Sequence, residues 1–187
     1  MTRLLAFDTS SAHCAAALLL GDRVVTRVDE MARGQAEHLM PMLEEVLRED
    51  GLDWSDLDGI GVGIGPGNFT GIRISVAAAR GLALALGKPA VGVSSFDAQA
   101  HGRANAVVVL PAPRGQAYVM SPGEAPRLLG RDAAPEGTPL KPPARMIADL
   151  AQVAAERLAT PQLRPAPLYL RPADAAPPRD PAPTLLG

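Results

Sequence analysis

The chain has 187 residues, 47% hydrophobic and 3% aromatic, with a net charge of −2 and an isoelectric point near 5.9. That length allows one domain or two small ones with a core packed mainly from Ala, Leu and Val, and the small charge gives no general electrostatic footprint for nucleic acid. The single cysteine, Cys14, excludes intrachain disulfides and multi-cysteine zinc sites, while the absence of an apolar run of spanning length and of signal architecture points to a cytoplasmic protein without membrane contact.

Residues 4–7 predict a buried strand ending in the polar turn Asp8-Thr9-Ser10-Ser11. Residues 14–20 predict a second strand, Gly21-Asp22 a hairpin turn, and residues 24–28 a third strand. Within the second strand, Cys14 reads as a small packing hydrophobe. Asp8 closes the first strand, where it can serve a ligand or, with the neighbouring hydroxyls, satisfy its own turn. Across residues 35–49 the period becomes helical, with Leu39, Met42, Leu43, Val46 and Leu47 on one stripe. Pro41 belongs in a first helical turn, which puts the helix start near Glu37 or His38. His38 has no second ligand at i+4 and reads as a packing or capping residue. Asp53, Asp56 and Asp58 read as a capped helical turn rather than a metal cluster.

Residues 59–73, GIGVGIGPGNFTGIR, begin as a buried strand whose glycines keep one face bare for close approach. Pro66-Gly67-Asn68 breaks that strand, and Thr70 is placed to cap a following helix. Strand, glycine turn and helix N-terminus can cradle an anion or make a tight joint between strand and helix. Two sharper phosphate motifs fail. The dinucleotide fingerprint lacks its third glycine, since Pro66 or Thr70 stands there, and Gly87-Lys88-Pro89 lacks the Ser/Thr and the upstream glycine of a P-loop.

Residues 70–86 predict the longest helix, apolar or small on nearly every face, with Arg73 and Arg80 as its only charges. Ala77, Ala78, Gly81 and Ala85 form a small-residue ridge, and the side away from the sheet is available to a second chain. Gly87 is the C-cap. Residues 90–93 predict a strand, and Ser94-Ser95 caps a helix running through His101. Only Pro41, Pro66 and Pro89 of the 19 prolines precede residue 111. Strands are expected at 106–110 and 117–120 and a helix at 144–159. A proline-rich, loop-rich tail follows from Pro161, with Leu168-Tyr169-Leu170-Arg171 as its apolar anchor.

The segments LLAFDTSSAHCAAALL, AEHLMPMLEEVL and LDGIGVGIGPGNFTGIRISVAAARGLALALGKPAVGVSSFDA, with the weaker RGQAYV and PLYLRP, resemble the TsaB (YeaZ) family. That family takes part in the threonylcarbamoyl (t6A) modification of the tRNA adenosine next to the anticodon. The resemblance implies an α/β, actin-like ATPase (ASKHA, RNase H-like) fold: two lobes with mixed sheets flanked by helices, the first over 1–103, the second over 104–187 and reduced. In true ATPases of this fold the first hairpin holds phosphate, which makes Asp8, Thr9, Pro66 and Gly67 the weak cofactor candidates here; Ser10 replaces the expected turn glycine. The catalytic relative TsaD carries two metal-holding histidines four residues apart, and the matching positions are Ser95 and Gln99, neither an imidazole ligand. Where the family has Asp-Ala-Arg, this chain has Pro111-Ala112-Pro113-Arg114.

The resemblance therefore implies a non-catalytic subunit, with no metal and no cofactor of its own, that binds and organises a TsaD-like transferase. A TsaE-like ATPase joins the larger complex, tRNA is contacted only through it, and ATP or ADP at the partner interface and a homodimer remain open. His38, Met42, Arg73, Ala77, Arg80, Gly81 and Leu84 are the expected interface residues. An autonomous ATPase or sugar kinase-like enzyme is the alternative. A metallopeptidase, suggested by an older superfamily label, finds its histidines (His13, His38, His101) scattered and without a His-Glu-x-x-His helix.

Overall fold

The computed structural model describes residues 1–161 and 163–171. The proline-rich tail expected beyond 171 lies outside the described residues. Three strands, β1 (Arg3–Asp8), β2 (His13–Leu20) and β3 (Arg23–Glu30), form the expected meander and are followed by helix α1 (Gln35–Glu49). Strand β4 (Gly59–Gly63), helix α2 (Phe69–Leu86) and strand β5 (Ala90–Val93) complete a five-stranded mixed sheet ordered β3-β2-β1-β4-β5, with β4 parallel to both β1 and β5. After the short helix α3 (Ser95–Ala100), β6 (Val108–Ala112), β7 (Gln116–Met120) and β8 (Arg127–Gly130) form a small antiparallel sheet, and α4 (Pro143–Arg157) follows.

Alternation along the central strands sorts the core into two layers. Leu5, Phe7, Leu18, Ile60 and Val62 face α1 and α2. Leu4, Ala6, Ala17 and Leu19 face the other way, onto Ile147, Leu150 and Ala154 of α4. Strands β1 and β2 are therefore apolar on both faces because helices cover both. Helix α4, which follows the second sheet in the chain, packs across the first sheet. Cys14 is buried with its sulfur 3.8 Å from Met31 Sδ, and burial pushes its thiol up to about 11.

Several boundaries differ from the sequence expectations. Helix α1 starts at Gln35, not at Glu37 or His38, because Gly34 supplies a left-handed entry at φ 88° and His38 Nε2 holds the first turn to Asp29 of β3 at 2.7 Å. Asn68, not Thr70, caps α2, its side chain accepting from Gly71 N–H at 2.9 Å. Strand β6 runs through Pro111, which is tolerated because β6 is an edge of its sheet. Strand β8 had no expected counterpart. By length and composition α2 is also apolar enough to cross a membrane, which corrects the expectation that no such run exists; its inner side packs on the sheet through Ile72, Val76 and Ala79.

One buried ionic group ties α4 to the end of α3. Asp149 is fully buried on α4, and Lys141, almost as buried, donates to its Oδ2 at 2.6 Å and to the Ala98 and His101 carbonyls at 2.9 and 2.7 Å. Arg145 and His101 complete the shell around the carboxylate at 3.0 and 3.2 Å. Burial alone would push the Asp149 carboxyl up, but the bonds from Lys141, His101 and Arg145 outweigh it and hold the group below its ordinary value. A carboxylate depressed in the folded state stabilises the fold above its unfolded value of about 4 and loses that contribution as pH falls through the folded value. Asp149→Asn, which leaves Lys141 buried without a counter-charge, is expected to cost about 3–5 kcal/mol at neutral pH. The same variant should lose part of the acid-side fall in stability, and urea melts across pH 2–7 check both effects.

Candidate functional site

The site is organised by two turns that meet end-on. The Ser10 carbonyl accepts from Asn68 N–H at 2.7 Å, and the fully buried Thr9 hydroxyl donates to the Gly71 carbonyl at 2.6 Å. A side chain at Gly67 would begin 2.5 Å from the Ser10 carbonyl oxygen, and one at Gly71 would overlap the Thr9 carbonyl. These glycines therefore admit backbone. Asn68 caps the helix with its own side chain while its N–H is engaged by Ser10. Of the two readings of the glycine stretch, this is the geometry of the tight joint. Ser75 adds a buried hydroxyl from α2 to the Gly63 carbonyl at 3.2 Å.

Beside this joint, between the two sheets, lies a cavity of about 500 Å³ whose lining includes Asp8, Ser10, His13 and Asn68 with the apolar Leu110 and Leu150. Of the weak cofactor candidates, Asp8, Pro66 and Gly67 line the cavity, whereas Thr9 is committed to α2. Asp8 Oδ2 accepts from Ser10 N–H and Oγ at 3.1 and 2.8 Å. Its Oδ1 is buried against the bare face of Gly63 with no hydrogen-bond partner among the described residues.

The two positions matched to metal-holding histidines are both spent on the chain's own backbone. Ser95 Oγ donates to the Pro66 carbonyl at 3.2 Å. Gln99, fully buried, donates through Nε2 to the Pro139 carbonyl at 2.8 Å and accepts from Lys141 N–H at 3.1 Å. Among the described residues no three His, Cys, Asp or Glu side chains come together as a metal set. Lys141 also lines the cavity, but its ammonium is engaged by Asp149 and two carbonyls. This donor set does not fit a first-row metal ion, and it offers little cationic charge to a nucleotide's phosphates.

The expected interface residues separate by burial. Arg73, Ala77, Arg80, Gly81 and Leu84 share the exposed face of α2, and Leu84 is 83% exposed. His38 is partly exposed and bonded to Asp29. Burial holds the Asp29 carboxyl up less than its bonds to His38 and Arg27 pull it down, so it lies below its ordinary value. Met42 has to be corrected: it belongs to the stripe of Leu39, Leu43 and Val46 that faces the sheet, and it is buried in the core. Sequence reasoning missed Asp149 and Lys141. The available signal was an acidic residue between Ile147 and Leu150 on an otherwise apolar helix face.

The family model for TsaD, tRNA N6-adenosine threonylcarbamoyltransferase, matches residues 29–170. The structure of YeaZ from Pseudomonas aeruginosa is similar at a TM-score of 0.73 and 29% identity, over 91% of this chain and 100% of that one. A second P. aeruginosa structure, of a protein with similarity to peptidase YeaZ, is similar at a TM-score of 0.74 and 28% identity, again over 91% and 100%. No curated protein matches in sequence. The five-stranded mixed sheet flanked by helices, together with these similarities, is that of the actin-like ATPase fold.

The joint makes a direct prediction. Gly71→Ala forces a methyl group into the Thr9 carbonyl and is expected to cost about 3 kcal/mol. Gly81→Ala, also in α2 but with open space around it, is expected to stabilise by up to about 1 kcal/mol through helix propensity. Thermal melts of the two variants check this, and a Gly71→Ala protein as stable as the parent would contradict the joint.

Proposed function

Because the chain belongs to the TsaD family of tRNA N6-adenosine threonylcarbamoyltransferase, in its YeaZ-like branch, and so to the biosynthesis of threonylcarbamoyladenosine in tRNA, we propose that it is the non-catalytic subunit that binds and organises a TsaD-like transferase in the cytoplasm. The observation that carries the reading is the outer face of α2. Ala77, Gly81 and Leu84 leave a small-residue, apolar surface in solvent along a helix whose inner side is already packed. Small side chains let a partner's backbone approach closely, and Arg73 and Arg80 put charge at the rim.

The cleft supports the same reading from the other direction. A transferase of this family needs metal-holding side chains where Ser95 and Gln99 stand, and here those side chains hold the Pro66 and Pro139 carbonyls. A peptidase would need a metal set or a nucleophile with a base. His13, His38 and His101 are instead paired separately, with Asp8 at 3.7 Å, Asp29 at 2.7 Å and Asp149 at 3.2 Å. An ATPase or sugar kinase acting alone rests on the cavity beside Asp8, whose lining includes a carboxylate and whose lysine, Lys141, is engaged by Asp149. Nucleotide held jointly with the transferase, a TsaE-like ATPase in the larger complex, and tRNA contacted only within it complete the proposal.

Leu84→Asp tests the surface. The side chain makes no core contact, so melting should stay within about 2 °C of the parent, while binding to the transferase should weaken at least about tenfold, the value of burying one leucine. Threonylcarbamoyladenosine formed in a reconstituted assay should fall in parallel. Unchanged binding and unchanged modification by the variant would remove this face from the mechanism.

A further inference from the structure

After α4, residues 168–170 lie against the end of the glycine strand and the N-terminal turn of α2. Leu168 N–H donates to the Ile64 carbonyl at 2.8 Å, and Leu168 and Leu170 pack against the cluster of Phe96 and Tyr118. Tyr169, between them, lies on α2. Its ring stacks on Phe69 with centroids 4.7 Å apart and planes 28° from parallel. Arg73, one turn along from Phe69, places Cζ 3.9 Å from the Phe69 centroid and donates Nε–H to the Tyr169 hydroxyl at 2.9 Å.

An exposed arginine ordinarily samples many rotamers, and fixing one in an interface costs about 0.5–1.5 kcal/mol. Here the cost is met before any partner arrives. One face of the guanidinium rests on a ring and Nε is tied, while Nη1 and Nη2 have no partner among the described residues. Helix α2 contains no acidic residue that would neutralise the charge. Two free, coplanar Nη groups match the two oxygens of a carboxylate. Arg73 also stands at the end of the exposed row Ala77, Arg80, Gly81 and Leu84.

We propose that Tyr169 is a positioning residue: the C-terminal segment uses it to hold Arg73 as a preformed cation at the edge of the α2 face, directed at a carboxylate of the transferase subunit. The inference rests on the reading of that face given above. It adds that the far end of the chain, remote in sequence, sets the affinity of the face.

The experiment is calorimetric titration of the full chain with its transferase subunit, using the parent, Tyr169→Ala, Tyr169→Phe, Arg73→Ala and the Arg73→Ala/Tyr169→Ala double variant. The expected result is a two- to tenfold weakening for each Tyr169 variant, about the cost of one immobilised long side chain. Arg73→Ala should weaken binding at least as much, and Tyr169→Ala should add less than about twofold on top of Arg73→Ala, since the two act as one unit. Tyr169→Phe keeps the ring and should fold where Tyr169→Ala fails to. In that variant the Arg73 Nε–H resonance should exchange with water faster than in the parent. Parent-like affinity of both Tyr169 variants, an equal loss in the Arg73→Ala background, or equal exchange in parent and Tyr169→Phe would overturn the inference. So would a defect confined to tRNA binding by the assembled complex, which would make the contact a phosphate. Failure of the unsubstituted chain to bind the transferase would overturn the reading of the face itself, and the inference with it.

Discussion

The carbonyl groups of Thr9 and Ser10 occupy the space that side chains at positions 71 and 67 would need. Much of the structure follows from that approach of backbone to backbone. It brings the start of α2 against the end of β1, where the Thr9 hydroxyl and Asn68 N–H close the joint with two hydrogen bonds. It also consumes groups that an anion would otherwise use at a glycine turn before a helix. The same construction that suggests a phosphate cradle thus serves to fix the direction of α2. With the inner side of that helix committed to Ile72, Val76 and Ala79, the row from Arg73 to Leu84 is left outward, and the proposed function rests on that row.

Polar bonds join α3 to the segment that leads into α4. Gln99 holds the segment at Pro139 and Lys141, and Lys141 in turn satisfies Asp149 on the helix that covers the first sheet. Removing either member of that pair leaves an uncompensated charge in the interior, so the two groups hold α4 in place only as a pair. Gln99 and Lys141 also line the cavity. Its walls are set by side chains whose polar atoms are largely engaged with the chain itself, and Asp8 Oδ1 has no hydrogen-bond partner among the described residues.

Much of the fold is readable from periodicity. The meander of β1 to β3, the stripe of α1 and the long apolar helix α2 each carry a regular pattern over eight or more residues, and the family segments extend across the same region. What escaped is what period alone does not encode. Met42 sits on the buried stripe and was nonetheless expected at a surface, because a helix pattern says which residues share a face but not which face meets the sheet. Thr70 has the right chemistry for a cap, yet Asn68 holds the position because the joint with Ser10 starts the helix earlier. Strand β8, only four residues long and exposed at both ends, has no pattern to detect. The contacts of Gln99 with Lys141, and of Arg73 with Tyr169, span 42 and 96 residues and become visible only once the tertiary fold is in place.

The central claim is that the chain contributes a binding surface and no chemistry. It is tested most directly by mass spectrometry of unmodified tRNA from a reconstituted tRNA-modification assay that contains the TsaE-like ATPase and the TsaD-like transferase, with and without this chain. The account predicts threonylcarbamoyladenosine only when this chain and the transferase are both present. It also predicts undiminished product when Asp8 is replaced by Ala in a folded protein. Product formed by this chain with the transferase omitted, or full activity from the transferase with this chain omitted, would contradict it.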